Sequence, residues 1–367
     1  MASLEQATST KEASEIVVRE LKTISGFDKV MMYQFDEGWN GEVIAEAKAE
    51  GMESYLGLKF PASDVPKQAR DLYKNTAYRL IPDVDYQPIK LYPVINPVTH
   101  TFTNLSDSNL RSVAPVHLEY LRNMNVRASM STRVLNNEVL WGLISCHHRA
   151  PKFLSFEMCS VFELLSYSIS SKITALQNMD AFTEQTALQQ QLMTFTEQLY
   201  TGAGLTEVLR QNEESLLQLL RANGIAVLLN NQVIQLGKTP DVSDIQDLAI
   251  WIQASTDGKV YHQSALPLVY EPAAQYQEYG SGIMVLPVRP DSGDYIIAFR
   301  PEAVQEVNWG GNPNEAIRFE EDGVRYHPRA SFQQWKQRVT QTAIPWSKDE
   351  LAIAERFRRL VAAYVLN

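Results

Sequence analysis

A stretch in the first third of the chain, residues 110–131, gathers residue types that could bind an anionic ligand. It contains His117 among several arginines and ends with the hydroxyl residues Ser129 and Ser131. Helical spacing places His117 and Tyr120 on one face, and two-residue spacing places both serines on one face of a strand. Imidazole, guanidinium and hydroxyl groups that converge in this way suit a large anionic conjugated ligand. An amphipathic helix with one core histidine is the alternative, and this stretch alone favours that alternative.

The composition predicts a soluble globular protein of two domains. A chain of 367 residues is too long for one ordinary core, and 45% of the residues are hydrophobic and 21% charged. The net charge of -10 argues against a nucleic-acid-binding surface. No apolar run approaches the ~20 residues that span a bilayer, and the N-terminus does not resemble a secretory signal. Two cysteines, Cys146 and Cys159, cannot form a disulfide framework, which predicts a reducing, cytoplasmic compartment.

The spacing of apolar residues predicts a mixture of helices and strands. A helix begins near Lys11 and ends at Gly26, a strand follows at Lys29–Phe35, and a second strand returns at Glu42–Ala47. In the second half the pattern predicts a helix at Leu205–Leu220, a hairpin around Asn230 and Asn231, a helix at Ile245–Ala254, and strands at Ile283–Val288 and Tyr295–Phe299.

Two long amphipathic helices are predicted. The first runs from Ser155 to about Tyr200, which is longer than an ordinary globular helix and suggests a rod that joins domains and forms a homodimer seam. The TGAG sequence at Thr201–Gly204 is expected to end it. The second helix, Ser347–Val365, continues its apolar pattern to the end of the chain and suggests a connection to a missing output module.

Several motifs in a fixed order resemble those of the phytochromes. FPASDVPKQARDLY at Phe60–Tyr73 precedes the stretch around His117, and WGLISCHH at Trp141–His148 follows it. This trio resembles the chromophore-binding GAF domain. WGGNP at Trp309–Pro313 and PRASF at Pro328–Phe332 resemble the tongue hairpin of the phytochrome-specific PHY domain. The chain is identified as a member of this family without its N-terminal PAS domain.

The resemblance implies an α+β fold in which two GAF-like domains, each an antiparallel sheet flanked by helices, are joined by a long helix. A tongue hairpin extends from the second domain. The expected boundaries are a disordered or short lead-in at 1–10, a bilin-binding GAF domain at 11–175, a linking helix at 176–200, a PHY domain at 201–346 with its tongue at about 300–340, and an output-connecting helix at 347–367.

The segment around Asp64 is kept extended by two prolines, so it could aim a carboxylate and carbonyls inward, although Ser63 and Asp64 could equally start a helix. In the family, the aspartate at the Asp64 position contacts the pyrrole nitrogens of the chromophore. Arg79 and Arg111 align with arginines that bind a propionate, for which a guanidinium fork is suited. Arg122 and Arg127 are instead expected to be solvated surface charges.

The resemblance assigns further residues to the cofactor pocket. His117 and His147 match two histidines near the pyrroles, and Ser129 and Ser131 match residues that face the second propionate. The full set of expected cofactor-binding residues is Asp64, His117, His147, Arg79, Arg111, Tyr33, Tyr73, Tyr120, Ser129, Ser131, Phe60, Val65 and Pro66, in which the three tyrosines form an aromatic cage around ring D.

One position departs from the family. Cyanobacterial and plant phytochromes carry a cysteine immediately before the histidine, and it bonds to the bilin, whereas this chain has Val116. No covalent attachment site is visible, and bacteriophytochromes use a cysteine upstream of the PAS domain. The resemblance implies a non-covalently held linear tetrapyrrole, biliverdin in first place and phycocyanobilin in second. The chain is expected to be a fragment of a bacteriophytochrome-like protein, and a PAS-less form that binds bilin without a bond is the alternative.

The resemblance implies a red/far-red photoreceptor sensory module that isomerises its bilin at ring D. Arg329 is expected to pair with Asp64, with Ser331 and Trp309 as switch residues in a tongue that refolds. The signal would pass to a missing C-terminal module, a histidine kinase with a response regulator. The chain carries no kinase motif, so it is expected to have no enzyme activity, no metal, and no nucleic-acid or membrane partner.

Three alternatives remain open at this point. A GAF domain can sense another small molecule, such as a cyclic nucleotide, and a degenerate relative could be a dimerising scaffold without pigment. An enzyme could use Cys146 with His147 or His148, but strand alternation points Cys146 away from His147, and no metal-ligand spacing is present. Cys146 and Cys159 are both expected to be buried and inert.

Overall fold

A computed structural model describes most of the chain as a mixture of helices and antiparallel sheets. The described residues are 2–200, 204–255, 259–315, 317–319 and 326–366. The chain divides into two compact units, which are Met1–Asp180 with Val307–Gln337, and Ala181–Glu306 with Arg338–Asn367. The expected boundary sequence Thr201–Gly204 lies almost wholly outside the described residues.

The elements are named here in chain order. They are α1 (Ala2–Glu5), α2 (Thr10–Ser25), β1 (Lys29–Phe35), β2 (Gly41–Lys48), β3 (Lys59–Phe60), α3 (Lys67–Asn75), β4 (Tyr78–Ile81), α4 (Pro115–Asn123), β5 (Ala128–Asn136), β6 (Val139–His148), α5 (Phe156–Tyr200), α6 (Leu205–Gln211), α7 (Glu213–Leu219), β7 (Gly224–Leu229), β8 (Gln232–Gly237), α8 (Val242–Ser255), β9 (Tyr261–Gln263), α9 (Gln277–Gly280), β10 (Gly282–Arg289), β11 (Asp294–Arg300), β12 (Gln305–Gly310), β13 (Ile317–Phe319), β14 (Tyr326–Pro328), β15 (Gln334–Val339) and α10 (Lys348–Leu366).

The first unit is built on a sheet with strand order β15-β12-β3-β2-β1-β6-β5-β4. Successive side chains of a strand point to opposite faces, and the sheet uses both faces. Val30 and Met32 of β1 pack into a core with α2 and α5. Met31 and Tyr33 point the other way, toward a second cluster with Tyr55. One face of the sheet is therefore a sealed core, and the other is free to form a site.

The helix α2 starts and stops where its sequence predicts. Ser9 caps it, since its hydroxyl accepts a hydrogen bond from the backbone N–H of Glu12 at 3.2 Å. Gly26 ends it in the left-handed conformation, with φ of 64°, and its N–H bonds the carbonyl of Lys22. Both ends are satisfied by local groups, so the helix boundaries need no tertiary contact.

The first ten residues are more ordered than the sequence predicts. Of the two expectations for residues 1–10, disorder or a short lead-in, disorder does not describe residues 2–10, because α1 and the turn after it bury Leu4 and Ala7 at 4% exposure each. Lys172 of α5 donates to the carbonyl of Glu5 at 2.8 Å. The polar composition concealed this contact because only two apolar side chains make it.

The predicted long helix is confirmed as α5, which runs unbroken from Phe156 to Tyr200. Its first part buries Phe162 and Ile173 in the core of the first unit, and its second part buries Phe195 and Leu199 in the core of the second unit. Other apolar side chains of the same helix stay exposed, among them Leu164 at 67% and Phe182 at 71%. The helix therefore has more apolar surface than the two cores use.

The second unit repeats the architecture of the first. Its antiparallel sheet has the order β8-β7-β11-β10-β9, which is the second, first, fifth, fourth and third strand in sequence. The strands β2-β1-β6-β5-β4 of the first unit follow the same order when the two-residue β3 is left out. The α+β fold with two GAF-like sheets is thus confirmed. Among the helices that the structure describes, none is long and apolar enough to cross a bilayer.

The packing of α1 can be tested by shortening one buried side chain. We expect Leu4→Ala to lower the free energy of unfolding by about 2–3 kcal/mol, because it removes a buried side chain and leaves a cavity. Urea unfolding followed by circular dichroism measures it. Ile89→Ala is the control, since Ile89 is 93% exposed and its loss should change stability by less than about 0.5 kcal/mol. Equal values for the two variants would contradict the packing of α1.

Candidate functional site

A cavity of about 620 Å³ lies on the open face of the first unit's sheet. This volume is in the range of small-molecule and cofactor sites. Every cofactor-binding residue expected from the sequence lines it, namely Tyr33, Phe60, Asp64, Val65, Pro66, Tyr73, Arg79, Arg111, His117, Tyr120, Ser129, Ser131 and His147.

Strand alternation delivers the polar groups of the cavity floor. Ser145 and His147 of β6 face the cavity, whereas Cys146 between them is fully buried in the opposite core. Ser129 and Ser131 of β5 face the cavity in the same way, and they pair in register with His147 and Ser145. Two neighbouring strands therefore bring two hydroxyl–polar pairs to one face.

The helix α4 forms the opposite wall. It begins with Pro115 at its first position, where a missing N–H costs nothing. His117 and Tyr120, three residues apart, point to the same side, and their rings stack with centroids 6.0 Å apart and planes 15° apart. Val116 also lines the cavity.

Asp64 is held by the tongue, a name used here for residues 300–340. Arg329 is 2% exposed and forms an ion pair with Asp64, and its second terminal nitrogen donates to the carbonyl of Gly310 at 2.6 Å. The Tyr120 hydroxyl donates to the other Asp64 oxygen at 2.8 Å. Burial raises the pKa of Asp64, and the Arg329 charge and the Tyr120 hydrogen bond counteract this rise. The expected Arg329–Asp64 pair is therefore present.

Arg79 and Arg111 are two cations on the same wall, and their hydrogen bonds go to carbonyls. Arg79 donates to the carbonyls of Asn109 at 2.8 Å and of Arg111, and Arg111 donates to the carbonyls of Ser106 and Ser108. In the described part of the chain neither has a carboxylate partner. Burial, and then the charge of Arg111, lower the pKa of Arg79. This region can accept an anion.

The surface arginines behave differently. Arg122 pairs with Asp85 at 2.8 Å, and Arg127 pairs with Asp83 and Asp85 at 3.0 Å each. Their carboxylate partners neutralise them. This contrast separates the two cavity arginines from ordinary surface charges.

The two cavity histidines are neutral. Burial, with the charge of Arg79, lowers the pKa of His117 to about 4, and burial lowers that of His147 to about 3. Ser145 Oγ lies 3.1 Å from Nε2 of His147. The buried Nδ1 of His147 has no hydrogen-bond partner among the described residues.

Several aromatic rings in the lining of the cavity lie close to one another. The Tyr33 ring lies 6.0 Å from that of Phe60, and Phe60 lies 5.9 Å from Tyr55. A side chain at Gly41 would overlap the Tyr33 ring at 1.8 Å, and one at Gly310 of the tongue would meet Phe60 at 2.5 Å. Glycine is needed at both positions because rings occupy the space.

Sequence reasoning missed several lining residues. Ser145 lies two positions before His147 on a strand, so alternation could have found it. Tyr55 lies in an irregular segment with no periodic signal. Phe332 of the tongue was also missed. It does not line the cavity but packs edge-on against the lining residue Tyr120, with ring centroids 4.9 Å apart, and the two residues lie far apart in sequence.

The two expected switch residues, Trp309 and Ser331, differ in their structural setting. Trp309 of β12 pairs in parallel with Lys59 of β3, and its indole N–H donates to Gln337 Oε1 at 2.8 Å. Ser331 is exposed and accepts a weak hydrogen bond from the N–H of Gln333 at 3.4 Å. Neither side chain lines the cavity.

The cysteines give no nucleophile. Cys146 is fully buried, and burial raises the pKa of its thiol. Nδ1 of the neighbouring His148 lies 3.0 Å from Oδ2 of Asp28, not beside the thiol. Within the described ranges, no group of histidine, cysteine, aspartate and glutamate could hold a metal ion.

Known proteins match the chain over its whole length. Residues 9–173 match the GAF domain family, and residues 186–367 match the phytochrome region family. A crystal structure of a bacteriophytochrome from the photosynthetic bacterium R. palustris superimposes with a TM-score of 0.82 at 35% identity, covering 100% of this chain and 73% of that one. The chain belongs to the phytochrome family.

Relatives by sequence agree. Cyanobacterial phytochrome B of Nostoc sp. is 38% identical over 100% of this chain and 49% of its own length. A bacteriophytochrome of Xanthomonas campestris is 36% identical over 98% of this chain and 58% of its own length. The chain thus spans about half the length of the curated phytochromes that it matches. It is the GAF and PHY part of a photoreceptor sensory module, whose chromophore is a bilin.

The buried ion pair predicts a large effect of charge removal. We expect Asp64→Asn to lower the free energy of unfolding by about 3 kcal/mol, because the Arg329 charge would stay buried without its partner. Backbone amides of residues 326–335 should exchange faster with deuterium. Asp71→Asn is the matched control, since Asp71 forms exposed pairs with Lys67 and Lys74 that contribute little. A change no larger than that of the control would refute the structural role of the pair.

The neutral histidines predict a pH dependence. An imidazole in the unfolded chain titrates near ~6.5, whereas burial lowers the pKa of His117 to about 4. Between these values the unfolded chain binds more protons, so stability rises with pH and is lost as pH falls. We expect His117→Gln to remove about 1.4 kcal/mol per pH unit of this slope near pH 5. Thermal unfolding at pH 5, 6 and 7 measures it. His100→Gln, at an exposed site, should leave the slope unchanged, and parallel profiles for all three proteins would contradict the prediction.

Proposed function

We propose that the cavity holds a linear tetrapyrrole without a covalent bond, with biliverdin as the preferred bilin, and that the chain is a red/far-red light sensor. The observation that carries this proposal is that one cavity contains two arginines with no carboxylate partner among the described residues and two neutral histidines. A tetrapyrrole presents two propionates and a row of pyrrole nitrogens, which are the groups that this set of side chains recognises.

The side chains fit such a group on grounds of their own chemistry. Arg79 and Arg111 supply donors for carboxylates, and Ser129 and Ser131 supply hydroxyls on the neighbouring strand. The side chain of His147 lines the same cavity. The walls between them are apolar and aromatic, as a conjugated ring system requires.

When bound, the tetrapyrrole supplies absorption of red light and a C15=C16 double bond that isomerises. The protein's own groups hold it and respond. His117 remains neutral beside the pyrroles, while the carboxylate of Asp64 accepts hydrogen bonds. Tyr33, Tyr73 and Tyr120 exclude water around ring D. Phe60, Val65 and Pro66 complete the apolar wall.

The Asp64–Arg329 pair makes the tongue the responding element. Removing either charge leaves the other buried, so a change at Asp64 alters the free energy of the docked tongue by several kcal/mol. We propose that Arg329 leaves Asp64 in the light-activated state, that the tongue then refolds between hairpin and helix, and that Ser331 and Trp309 change partners during this step.

The remaining expectations are part of the same proposal. The functional domains are 11–175, 176–200, 201–346 and 347–367, with 1–10 as lead-in. Exposed apolar side chains of α5, such as Leu164 and Phe182, suit a homodimer seam. A histidine kinase with its response regulator would follow in the full-length cytoplasmic protein, and the chain itself would have no enzyme activity.

Absorbance after addition of biliverdin tests the proposal. We expect a band in the red that shifts reversibly to the far-red under illumination, and that is lost from the protein in acid denaturant because no bond holds it. Arg111→Gln should weaken binding, whereas the exposed Arg359→Gln, which pairs with Glu355, should not. A cavity that binds no bilin, or an Arg111 variant that binds as tightly as the wild type, would overturn it.

The attachment position gives a second arm of the same test. Val116 lines the cavity directly before His117. With Val116→Cys and phycocyanobilin, pigment should remain on the protein in denaturant. Wild-type chain with the same pigment is the control and should lose it. Loss from both would mean that residue 116 does not lie where the family's cysteine lies.

A further inference from the structure

Arg300 is a buried cation in the second unit with no role in the cavity. It is the last residue of β11 and the first of the tongue, and it is 7% exposed. Its Nη1 donates to the carbonyls of Ile344 and Pro345 at 2.9 Å each, and its Nε donates to the carbonyl of Arg221 at 2.7 Å. One guanidinium thus binds the chain where it leaves for the tongue and where it returns.

The same guanidinium reaches the start of α10. Its Nη2 lies 3.1 Å from Oε2 of Glu350, and its plane lies 4.1 Å from the centre of the Trp346 ring. Trp346 is anchored in turn, because its indole N–H donates to the carbonyl of Leu220 at 2.9 Å. Residues directly before and inside the first turn of α10 are therefore held by Arg300.

Glu350 has two functions at once. Its Oε2 accepts a hydrogen bond from the N–H of Ser347 at 2.8 Å, and the Ser347 hydroxyl accepts one from the N–H of Glu350 at 3.2 Å. This reciprocal pair is a capping box, which defines where the helix begins. The same Glu350 oxygen, Oε2, also lies next to Arg300, so one atom links the N-cap of α10 to the first residue of the tongue.

The two ends of the tongue are also joined to each other. Glu302 accepts a hydrogen bond from the N–H of Gln341 at 2.6 Å, and the N–H of Ala303 donates to the carbonyl of Thr342 at 2.9 Å. These bonds lie next to Arg300 in the sequence, on the side of the tongue. A movement of the tongue therefore reaches the Arg300 contacts before it reaches α10.

We propose that Arg300 is the positioning residue that fixes the N-terminus of α10 to both ends of the tongue, so that movement of the tongue is passed to α10 through its guanidinium. Lysine cannot replace it, because one ammonium group cannot bond three carbonyls and a carboxylate while stacking on an indole. The inference rests on the proposed function only where it treats α10 as the output connection.

Hydrogen–deuterium exchange on the 367-residue chain without bilin tests the proposal, so a failure to bind bilin would not affect the result. Arg329→Ala provides the displacement, since it removes the Asp64 pair that holds the tongue. We expect it to speed exchange of the α10 amides 351–357 by about fivefold, which is a typical coupling between linked sites. With Arg300→Lys in the same chain, the effect of Arg329→Ala should fall below about twofold.

Two further variants make the result decisive. Arg289→Lys weakens the pair of Arg289 with the buried Asp294 on the same sheet, which touches neither end of the tongue, so it should leave the fivefold effect intact. If Arg300→Lys does not fold, Glu350→Gln tests the same set of contacts by changing the carboxylate partner of Arg300 instead. The proposal is overturned if Arg329→Ala has no effect on α10, if Arg300→Lys and Glu350→Gln leave the effect unchanged, or if Arg289→Lys reduces it equally.

Discussion

The ion pair of Asp64 with Arg329 is the constraint on which the site depends. Both groups are almost fully buried, so either charge would be destabilising without the other. The pair therefore contributes less to the net free energy of folding than to the selection of one arrangement of the segments that carry it. Arg329 also requires the carbonyl of Gly310, and Asp64 requires Tyr120. The FPASD segment, α4 and the tongue must therefore assemble together, although they lie far apart in sequence.

The sheet of the first unit explains how one domain can hold both a stable core and an open site. The strands β1, β4, β5 and β6 each give one set of side chains to the core with α2 and α5, and the alternate set to the cavity. Because the core face supplies the stability, the cavity face can carry neutral histidines and guanidinium groups that have no carboxylate partner among the described residues. Those groups would destabilise a domain that had to bury them without a ligand.

The sequence was sufficient where local rules apply. Gly26 ends α2, Asn230 and Asn231 adopt positive φ in the β7–β8 turn, and alternation separates Cys146 from His147. The cavity residues were found because motifs of the family mark them. Tyr55, Phe332 and Arg300 were missed because their positions depend on contacts with distant segments. The packing of α1 was missed because its composition resembles a disordered tail.

Arg329 and Arg300 show that the same side chain can serve opposite purposes. Among the described residues Arg329 bonds to one carboxylate, Asp64, and one carbonyl, Gly310, so a change at the Asp64 carboxylate can release it. Arg300 is spread over three carbonyls, a carboxylate and an indole, so it is held by more contacts than Arg329. A signal needs both kinds of contact. The Asp64–Arg329 pair must be able to break, and the Arg300 contacts at α10 must persist while the tongue moves. If the Arg300 contacts broke first, the movement would not reach α10.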